Sequence, residues 1–138
     1  MHLLDTNIVS EVMTSAPSLA VIRWLDGQNA ADVYLSSITI AEIHYGLFAM
    51  PKGKKHNSLS QQFDEFIAAG FSHRILSFDD TAARRYGTLM AERKARGKPM
   101  SILDGQIASI ALVHNLTIVS RNTKDFEECG LNIINPFV

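Results

Sequence analysis

The chain has 138 residues, a length that suits one domain with a single buried core. Apolar residues make up 46% of it and charged residues 20%, which is typical of a globular protein and excludes extended disorder. The formal net charge is −1, so binding to a nucleic acid would depend on local basic patches rather than on an overall positive field.

Cysteine content and hydropathy predict the compartment. Cys129 is the only cysteine, so no disulfide can form within the chain, which favours a reducing environment. Asp5 interrupts the N-terminal apolar run after two leucines, and no signal peptide is visible. No apolar run reaches the roughly 18 residues of a membrane span. We therefore expect a cytoplasmic protein without membrane contacts.

Strand and helix patterns alternate along the chain. Short apolar runs predict strands over residues 2–5, 33–35, 74–78, 117–119 and 131–134. Apolar residues at helical spacing predict helices over about 6–13, 18–26, 39–50, 58–71, 80–96 and 101–115, with a short helical turn over 124–128. Because strands and helices alternate, we predict one α/β domain over 1–138, a three-layer sandwich with a mostly parallel sheet of about five strands.

One carboxylate lies in a helix with few polar neighbours. The predicted helix 39–50 contains only three polar side chains, Thr39, Glu42 and His44. An ionised carboxylate that is buried without a partner costs several kcal/mol, so Glu42 would need a positive partner. A surface glutamate on a wider polar strip explains the pattern equally well.

Asp104 lies beside the apolar side of the predicted helix 101–115. Leu103 belongs to that apolar side, whereas Gln106 and Ser109 mark the opposite, polar side. The pattern has a second explanation, because Ser101 and Asp104 stand at the spacing of a helix-capping box. The helix pattern alone favours the cap over a ligand.

Further polar residues follow two of the predicted strands. Asp5 follows the first strand, and Asn122 and Asp125 follow the fourth. The carboxyl ends of parallel strands meet at one sheet edge, and Glu42 lies one turn into the helix after the second strand. Carboxylates gathered there repel one another unless a cation lies between them, and their oxygen atoms suit Mg²⁺ or Mn²⁺. Zinc is disfavoured because no two histidines stand four residues apart on a helix.

Four segments together resemble the PIN-domain family, most closely the VapC-type toxins of bacterial toxin–antitoxin systems and the FitB-like proteins. They are Leu3-Leu4-Asp5-Thr6-Asn7, residues 37–43 with Gly46, Asp104 in a late helix, and residues 120–126. The resemblance implies an endoribonuclease that depends on Mg²⁺, or on Mn²⁺, and forms a homodimer. It also implies a VapB-like antitoxin as the partner, with operator DNA bound only through that antitoxin.

The resemblance also implies the site. Asp5, Glu42 and Asp104 match the acidic residues of the family, and Thr6, Asn7 and Ser120 occupy supporting positions. Many relatives carry a fourth acid where this chain has Asn122, and Asp125 is the nearest residue that would replace it. The implied mechanism hydrolyses an RNA phosphodiester. In it Asp5 and Asp104 hold the ion, Glu42 orients or deprotonates the attacking water, and Asn122 or Asp125 completes the set.

Two basic segments are candidates for binding the RNA backbone. They comprise Lys52, Lys54, Lys55 and His56 in a predicted exposed turn, and Arg93, Lys94, Arg96 and Lys98 at a predicted helix end. A solvated turn and a favourable helix C-terminus explain each single residue at least as well. Structured tRNA is the substrate that is typical of the family.

Two other functions stay open. A PIN scaffold with weak catalysis would act with its antitoxin as a DNA-binding regulator, and Asn122 is the feature that supports it. A metal-dependent DNA nuclease is the second, because an acidic cluster does not distinguish the two sugars. Apolar side chains on the first two predicted helices have two explanations, a docking surface for the partner and, as the more frequent case, the core: Val9, Val12, Met13 and Trp24.

Overall fold

Five parallel strands form the sheet that positions the site. The structure is a computed structural model and describes residues 1–138. The strands are β1 (His2–Leu4), β2 (Val33–Ser36), β3 (Ile75–Leu76), β4 (Thr117–Val119) and β5 (Ile133–Ile134). They are hydrogen-bonded in the order β3-β2-β1-β4-β5, and all four pairings are parallel. The predicted five-stranded parallel sheet is therefore confirmed.

Six helices connect the strands. They are α1 (Thr6–Val12), α2 (Leu19–Asp26), α3 (Ser37–Ala49), α4 (Lys54–Gly70), α5 (Asp80–Ala95) and α6 (Ile102–Val113). Short 3₁₀ turns cover Ala30–Asp32 and Thr123–Phe126. No helix has both the length and the apolar character needed to cross a bilayer.

Successive residues of the central strands alternate between two apolar cores. Leu3 and Ile118 pack with α5 and α6 on one face of the sheet, and Leu4 and Val119 pack with α1, α2, α3 and α4 on the other. Side chains of a strand point to opposite faces in turn, so an unbroken apolar run gives a sheet covered on both sides. The three-layer α/β sandwich predicted from the sequence is confirmed.

Gly105 lets α6 approach α5 closely. A Cβ atom at this position would lie 2.5 Å from the Met90 sulfur and 3.1 Å from the Tyr86 ring. Gly105 follows Asp104 directly, so this packing contact also fixes where Asp104 stands at the start of α6.

Two helices begin earlier than predicted. The Ser36 hydroxyl caps α3 by accepting the Thr39 N–H at 3.1 Å, so the helix begins at Ser37 rather than at 39. Helix α4 begins at Lys54, so the predicted basic turn is partly its first turn. The His56 side chain is buried there, with its Nδ1 atom 2.7 Å from the Leu47 carbonyl oxygen.

Two assignments on α6 were wrong. The helix pattern predicts Ser109 on the polar side, yet the residue is fully buried. Its hydroxyl donates to the Gly105 carbonyl at 2.6 Å. This local acceptor satisfies the hydroxyl inside the core, which an amino-acid pattern does not reveal. Leu103 was placed on the buried side and is exposed. The observed apolar face of α6 is therefore rotated slightly around the helix relative to the predicted one.

Of the two explanations for the apolar residues of the first two helices, the structure favours the core. Val9 is completely buried, and Val12, Met13 and Trp24 are only partly exposed because they pack against the core on that side. The large apolar side chains of the helical elements that do reach solvent include Tyr45 and Phe48 on α3.

Candidate active site

A polar cavity of about 440 Å³ opens where β1 and β4 end. None of the ten residues that line it is hydrophobic. They include Asp5, Glu42, Asp104 and Asn122, which reach the cavity from four different segments of the chain. The rule that parallel strands end at one edge thus brings together the residues that the sequence had singled out.

Asp5 is the most deeply placed carboxylate of the cavity, with 5% of the residue exposed. Its backbone N–H continues the sheet by donating to the Val119 carbonyl at 2.9 Å. Its Oδ1 atom accepts the Thr6 N–H at 2.9 Å, so Asp5 is also the N-cap of α1. The helix cap and the position in the cavity are therefore two properties of one residue.

The Ser120 hydroxyl connects the ends of β1 and β4. It donates to Asp5 Oδ2 at 2.8 Å and accepts the Asn122 N–H at 3.0 Å. Asn7 reinforces this connection, because its Nδ2 atom donates to Asp5 Oδ2 at 3.2 Å while its Oδ1 atom accepts the Arg121 N–H at 3.3 Å. The predicted supporting residues thus hold the Asp5 carboxylate in one orientation.

Glu42 is oriented by a chain of hydroxyl groups. Thr6 Oγ1 donates to Glu42 Oε1 at 2.8 Å and lies 3.0 Å from Thr39 Oγ1. The Ser36 hydroxyl lies 3.4 Å further along, on the buried side of Thr39. Glu42 is half-buried and faces the cavity, so it is neither a freely solvated surface glutamate nor paired with a cation.

Asp104 takes part in the helix cap through its backbone N–H and lines the cavity with its side chain, so its role as a metal ligand stays a prediction. Ser101 caps α6 by accepting the Asp104 N–H at 3.2 Å, while the Asp104 carboxylate lines the cavity. Asp125 lies on the 3₁₀ turn after β4 and is exposed. It does not line the cavity, although its charge reaches Asp104. Its place in the catalytic set stays a prediction.

Burial and like charges disfavour ionisation at the centre of the cavity. Burial raises the pKa of Asp5 from 3.8 to about 6, and the charges of Asp104 and Glu42 add to the rise against hydrogen bonds from Ser120 and Thr6. The pKa of Asp104 is also raised, first by burial and then by Asp125, against a hydrogen bond from Ser101. The cavity therefore favours the arrival of positive charge.

The donor set fits a hard divalent cation that keeps part of its water shell. No three His, Cys, Asp or Glu side chains converge closely enough to hold an ion by themselves. Mg²⁺ does not require such a cage, since it usually retains several waters and binds one or two carboxylates. Asp5 and Asp104 would hold the ion, with Glu42 and the Asn122 amide at its border. These oxygen donors match Mg²⁺ or Mn²⁺ rather than zinc.

Comparison with known families identifies the family of the chain. A family model described as the PIN domain matches residues 2–130. The chain belongs to the PIN-domain family.

Relatives of this PIN domain align over nearly its whole length. The plasmid stability protein StbB of Pseudomonas syringae pv. tomato is 41% identical over 99% of both chains. The VapC ribonuclease Y4jK of Sinorhizobium fredii is also 41% identical, over 99% of this chain and 98% of its own. A tRNA(fMet)-specific endonuclease VapC of Shigella flexneri is 32% identical over 93% of this chain and 91% of its own.

Solved structures superpose on the PIN domain just as completely. A structure of FitAB bound to an IR36 DNA fragment has a TM-score of 0.94 and 38% identity, over 100% of this chain and 96% of that one. The crystal structure of FitAcB from Neisseria gonorrhoeae has a TM-score of 0.93 and 39% identity over 99% of both chains.

The sequence missed four residues that line the cavity of the PIN domain: Ser10, Glu11, Thr14 and Arg121. The first three follow Asn7 at helical spacing, Ser10 and Glu11 on α1 and Thr14 just after its end, and this polar stripe was a usable signal. Arg121 follows Ser120 directly and gave no periodic signal of its own.

One predicted RNA-binding residue is structural instead. Arg93 is 7% exposed, and its guanidinium donates to the carbonyl oxygens of Lys98, at 2.7 Å, and Glu127. It packs against Cys129, with Nη1 3.6 Å from the sulfur. Arg93 therefore fixes the segment after β4 and cannot receive RNA.

The remaining basic candidates are accessible. Arg96 donates to the exposed Glu128 carbonyl at 3.1 Å, and Lys98 forms an exposed salt bridge with Glu128. The other candidates are exposed without a salt bridge: Lys52, Lys54, Lys55 and Lys94. His56 is excluded by its burial.

A second cavity of about 750 Å³ adjoins the first between α1, α3 and α4. The two share Thr6, Ser10, Thr14 and Glu42. Unlike the acidic cavity, this groove contains apolar side chains, among them Met13, Leu47 and Met50. An extended or helical segment that binds in the groove would pass directly over Glu42.

Proposed function

We propose that this PIN domain is a Mg²⁺-dependent endoribonuclease, Mn²⁺ being the alternative ion, and the toxin of a type II toxin–antitoxin pair. The observation that supports it best is the cavity itself, in which the buried Asp5 faces Asp104 and Glu42 with no hydrophobic lining. Such an arrangement favours a cation and a phosphate over an apolar ligand.

The cavity residues have different roles in the proposed hydrolysis of the phosphodiester. Asp5, fixed by Thr6 and Ser120, and Asp104, fixed at the start of α6, present the anionic oxygens. Glu42, aligned by the Thr6 hydroxyl, orients the attacking water and accepts its proton. A bound Mg²⁺ would lower the pKa of the attacking water and neutralise negative charge on the phosphate oxygens.

RNA, and tRNA in particular, is the proposed substrate. Support comes from relatives named VapC ribonuclease and tRNA(fMet)-specific endonuclease, at 41% and 32% identity. Lys55 lines the adjoining groove, and it and the exposed Lys52 and Lys54 would contact phosphates without selecting a sequence.

A VapB-like antitoxin is the proposed partner, and operator DNA would be bound through it. The support is the likeness to FitAB bound to a DNA fragment at 38% identity. A segment of the antitoxin lying in the groove between α1, α3 and α4 would cover Glu42 and exclude RNA from it.

A homodimer is proposed as the assembly of the toxin itself. The outer face of α3 presents Tyr45, 75% exposed, and Phe48, 62% exposed, and the Phe48 ring stacks on His44. Apolar side chains grouped on one helix face are typical of a protein interface. The mass of the chain in solution, measured by light scattering, tests this assembly.

Cleavage of tRNA tests the activity. The purified chain should cut unfractionated tRNA in Mg²⁺ and not in EDTA. Asp104→Asn should reduce the rate by more than about 100-fold, since even outer partners of metal ligands contribute 10- to 100-fold. Its melting temperature should stay near that of the parent, because Asn keeps the backbone N–H that Ser101 caps.

Asp64→Asn is the matched control, because Asp64 is an exposed carboxylate on α4 outside the cavity. Parental cleavage by Asp104→Asn would reduce Asp104 to a capping residue. Replacing Asp125 in the same assay decides whether it belongs to the catalytic set.

Asn122 supports a second function, a catalytically weak scaffold that acts with its antitoxin as an operator-DNA-binding regulator. The amide brings no charge where many relatives have an acid, and it lines the cavity beside the three carboxylates. Metal-dependent cleavage of tRNA by the purified chain would exclude this function. Cleavage of a matched DNA oligonucleotide instead of RNA would indicate a DNA nuclease.

A further inference from the structure

Arg121 is the only basic residue that lines the acidic cavity. It follows Ser120 where β4 ends, and its backbone N–H donates to Asn7 Oδ1 at 3.3 Å. The main chain of Arg121 is thus tied to the same hydrogen-bond network that orients Asp5. Its side chain is 57% exposed and stands at the mouth of the cavity.

Two contacts fix the direction of the guanidinium group. The Cζ atom lies 3.7 Å from the centroid of the Phe137 ring, so the group is stacked on the aromatic face. Its Nη2 atom lies 3.9 Å from Glu11 Oε1, and the other oxygen of Glu11 accepts the Ser18 N–H at 2.9 Å. Glu11 is itself held by α2, so both neighbours of the guanidinium are anchored elsewhere.

These contacts leave the donors of Arg121 free. A salt bridge at 3.9 Å contributes little to stability when one of its members, here Arg121, is 57% exposed, and an exposed cation–π contact contributes modestly. No side-chain hydrogen bond of Arg121 uses its five N–H groups. A planar guanidinium with free, fixed donors is suited to bind a phosphate with two parallel hydrogen bonds.

Among the residues that line the cavity, Arg121 alone carries the charge that attracts a polyanion. Four carboxylates line the cavity, namely Asp5, Glu11, Glu42 and Asp104, and they repel an approaching RNA. A cation bound near Asp5 would neutralise the phosphate that reacts but not its neighbours. A nucleobase is a poorer ligand, since the guanidinium already covers the Phe137 ring face.

We propose that Arg121 binds an RNA phosphate next to the one that is cleaved, with Phe137 and Glu11 as the residues that position it. The inference rests on the proposed ribonuclease function and adds a substrate-binding residue to it. In this arrangement Arg121 determines how the RNA strand enters the cavity, while the acids carry out the chemistry.

The test measures binding of unfractionated tRNA in Ca²⁺ at several salt concentrations, together with cleavage in Mg²⁺. Arg121→Ala should weaken binding about tenfold, the usual loss for a charged hydrogen bond. It should also lower the slope of log Kd against log salt by about 0.7–0.9, the value of one phosphate contact. KM should rise while kcat changes little, because a neighbouring phosphate is held alike in the ground and transition states.

Arg84→Ala is the matched control, because it removes the same charge from an exposed arginine of α5 that pairs with Asp80 outside the cavity. It should leave the slope and KM at parental values. Phe137→Leu should keep the slope and raise KM about threefold, in line with a lost exposed cation–π contact. A parental KM for Phe137→Leu would remove Phe137 from the positioning role.

Three results would overturn the proposal in distinguishable ways. An Arg121→Ala variant with the parental salt slope and KM, even with a lower melting temperature, would make Arg121 a structural tie to Phe137 while the ribonuclease function stands. Weaker antitoxin binding with unchanged tRNA binding would likewise assign Arg121 to the partner. A parent chain that neither binds nor cuts tRNA would overturn both the proposed function and this inference.

Discussion

Two charged side chains are buried in this molecule, and their surroundings are opposite. Arg93 is enclosed by acceptors, since its guanidinium donates to the carbonyl oxygens of Lys98 and Glu127. Asp5 also accepts hydrogen bonds, but the charges that act on its pKa are those of Asp104 and Glu42, which have its own sign. One buried charge is satisfied within the chain, and the other lacks a counter-charge.

The difference separates a structural from a functional group. A buried ion that has all its partners holds the fold together, as Arg93 does between α5 and the segment after β4. A buried carboxylate that faces like charges destabilises the fold, and such an arrangement is typical of sites that bind a cation or move a proton. Burial alone does not distinguish the two cases, whereas the sign of the neighbouring charges does.

Removing the satisfied charge should have the largest effect on stability. Arg93→Met keeps most of the apolar stem but leaves the two carbonyl groups without their donor, so we expect a loss of about 2–4 kcal/mol in the free energy of unfolding. Urea denaturation measures it. Arg96→Met, at the exposed end of the same helix, is the control and should lose less than about 1 kcal/mol. Equal losses would show that the burial of Arg93 has no energetic consequence.

Removing the charge of Asp5, which lacks a counter-charge, should raise the free energy of unfolding rather than lower it. The pKa of Asp5 is about 6 in the folded chain and 3.8 as an ordinary value, so folding favours the neutral form. The penalty is present above pH 6 and disappears as the pH falls towards 3.8. Asp5→Asn, measured in EDTA near pH 7.5, should therefore be more stable than the parent by about 1–3 kcal/mol.

The control for this prediction is pH itself. Well below pH 3.8 Asp5 is neutral in both the folded and the unfolded chain, so the advantage of Asp5→Asn should vanish there in the same denaturation experiment. A variant that is less stable than the parent near neutral pH would mean that the hydrogen bonds from Thr6 and Ser120 outweigh the burial of the charge.

How far the sequence could predict these features depended on the range of the interactions. Alternating strand and helix patterns predicted the sheet, and the end of each strand predicted which residues meet at its edge. The roles assigned to those residues stay predictions, but Asp5, Glu42, Asp104 and Asn122 do line one cavity.

The errors arose where a distant segment decides the environment of a residue. Arg93 and Arg96 stand in the same basic run, and only the position of Glu127, more than thirty residues later, buries one and leaves the other exposed. Ser109 was assigned to a polar face because its hydroxyl was counted, although the Gly105 carbonyl satisfies it. Arg121 offered no periodic signal, since Phe137 and Glu11 lie far from it in the sequence.

The smallest expected effect is the change in stability when a cation is added, and it should differ between the parent and Asp5→Asn. If Asp5 and Asp104 bind Mg²⁺, the ion supplies the counter-charge that the fold lacks, so the parent should gain stability near pH 7.5. At an ion concentration about ten times the dissociation constant the gain is about 1.4 kcal/mol. Asp5→Asn should gain little, so the stability difference seen in EDTA should narrow, while Arg93→Met should respond as the parent does.

Calcium or Mn²⁺ in place of Mg²⁺ reports how strictly the oxygen donors select the ion. An equal response of the parent and Asp5→Asn would place the ion elsewhere on the surface, and Asp5 would then be a strained helix cap rather than a metal ligand.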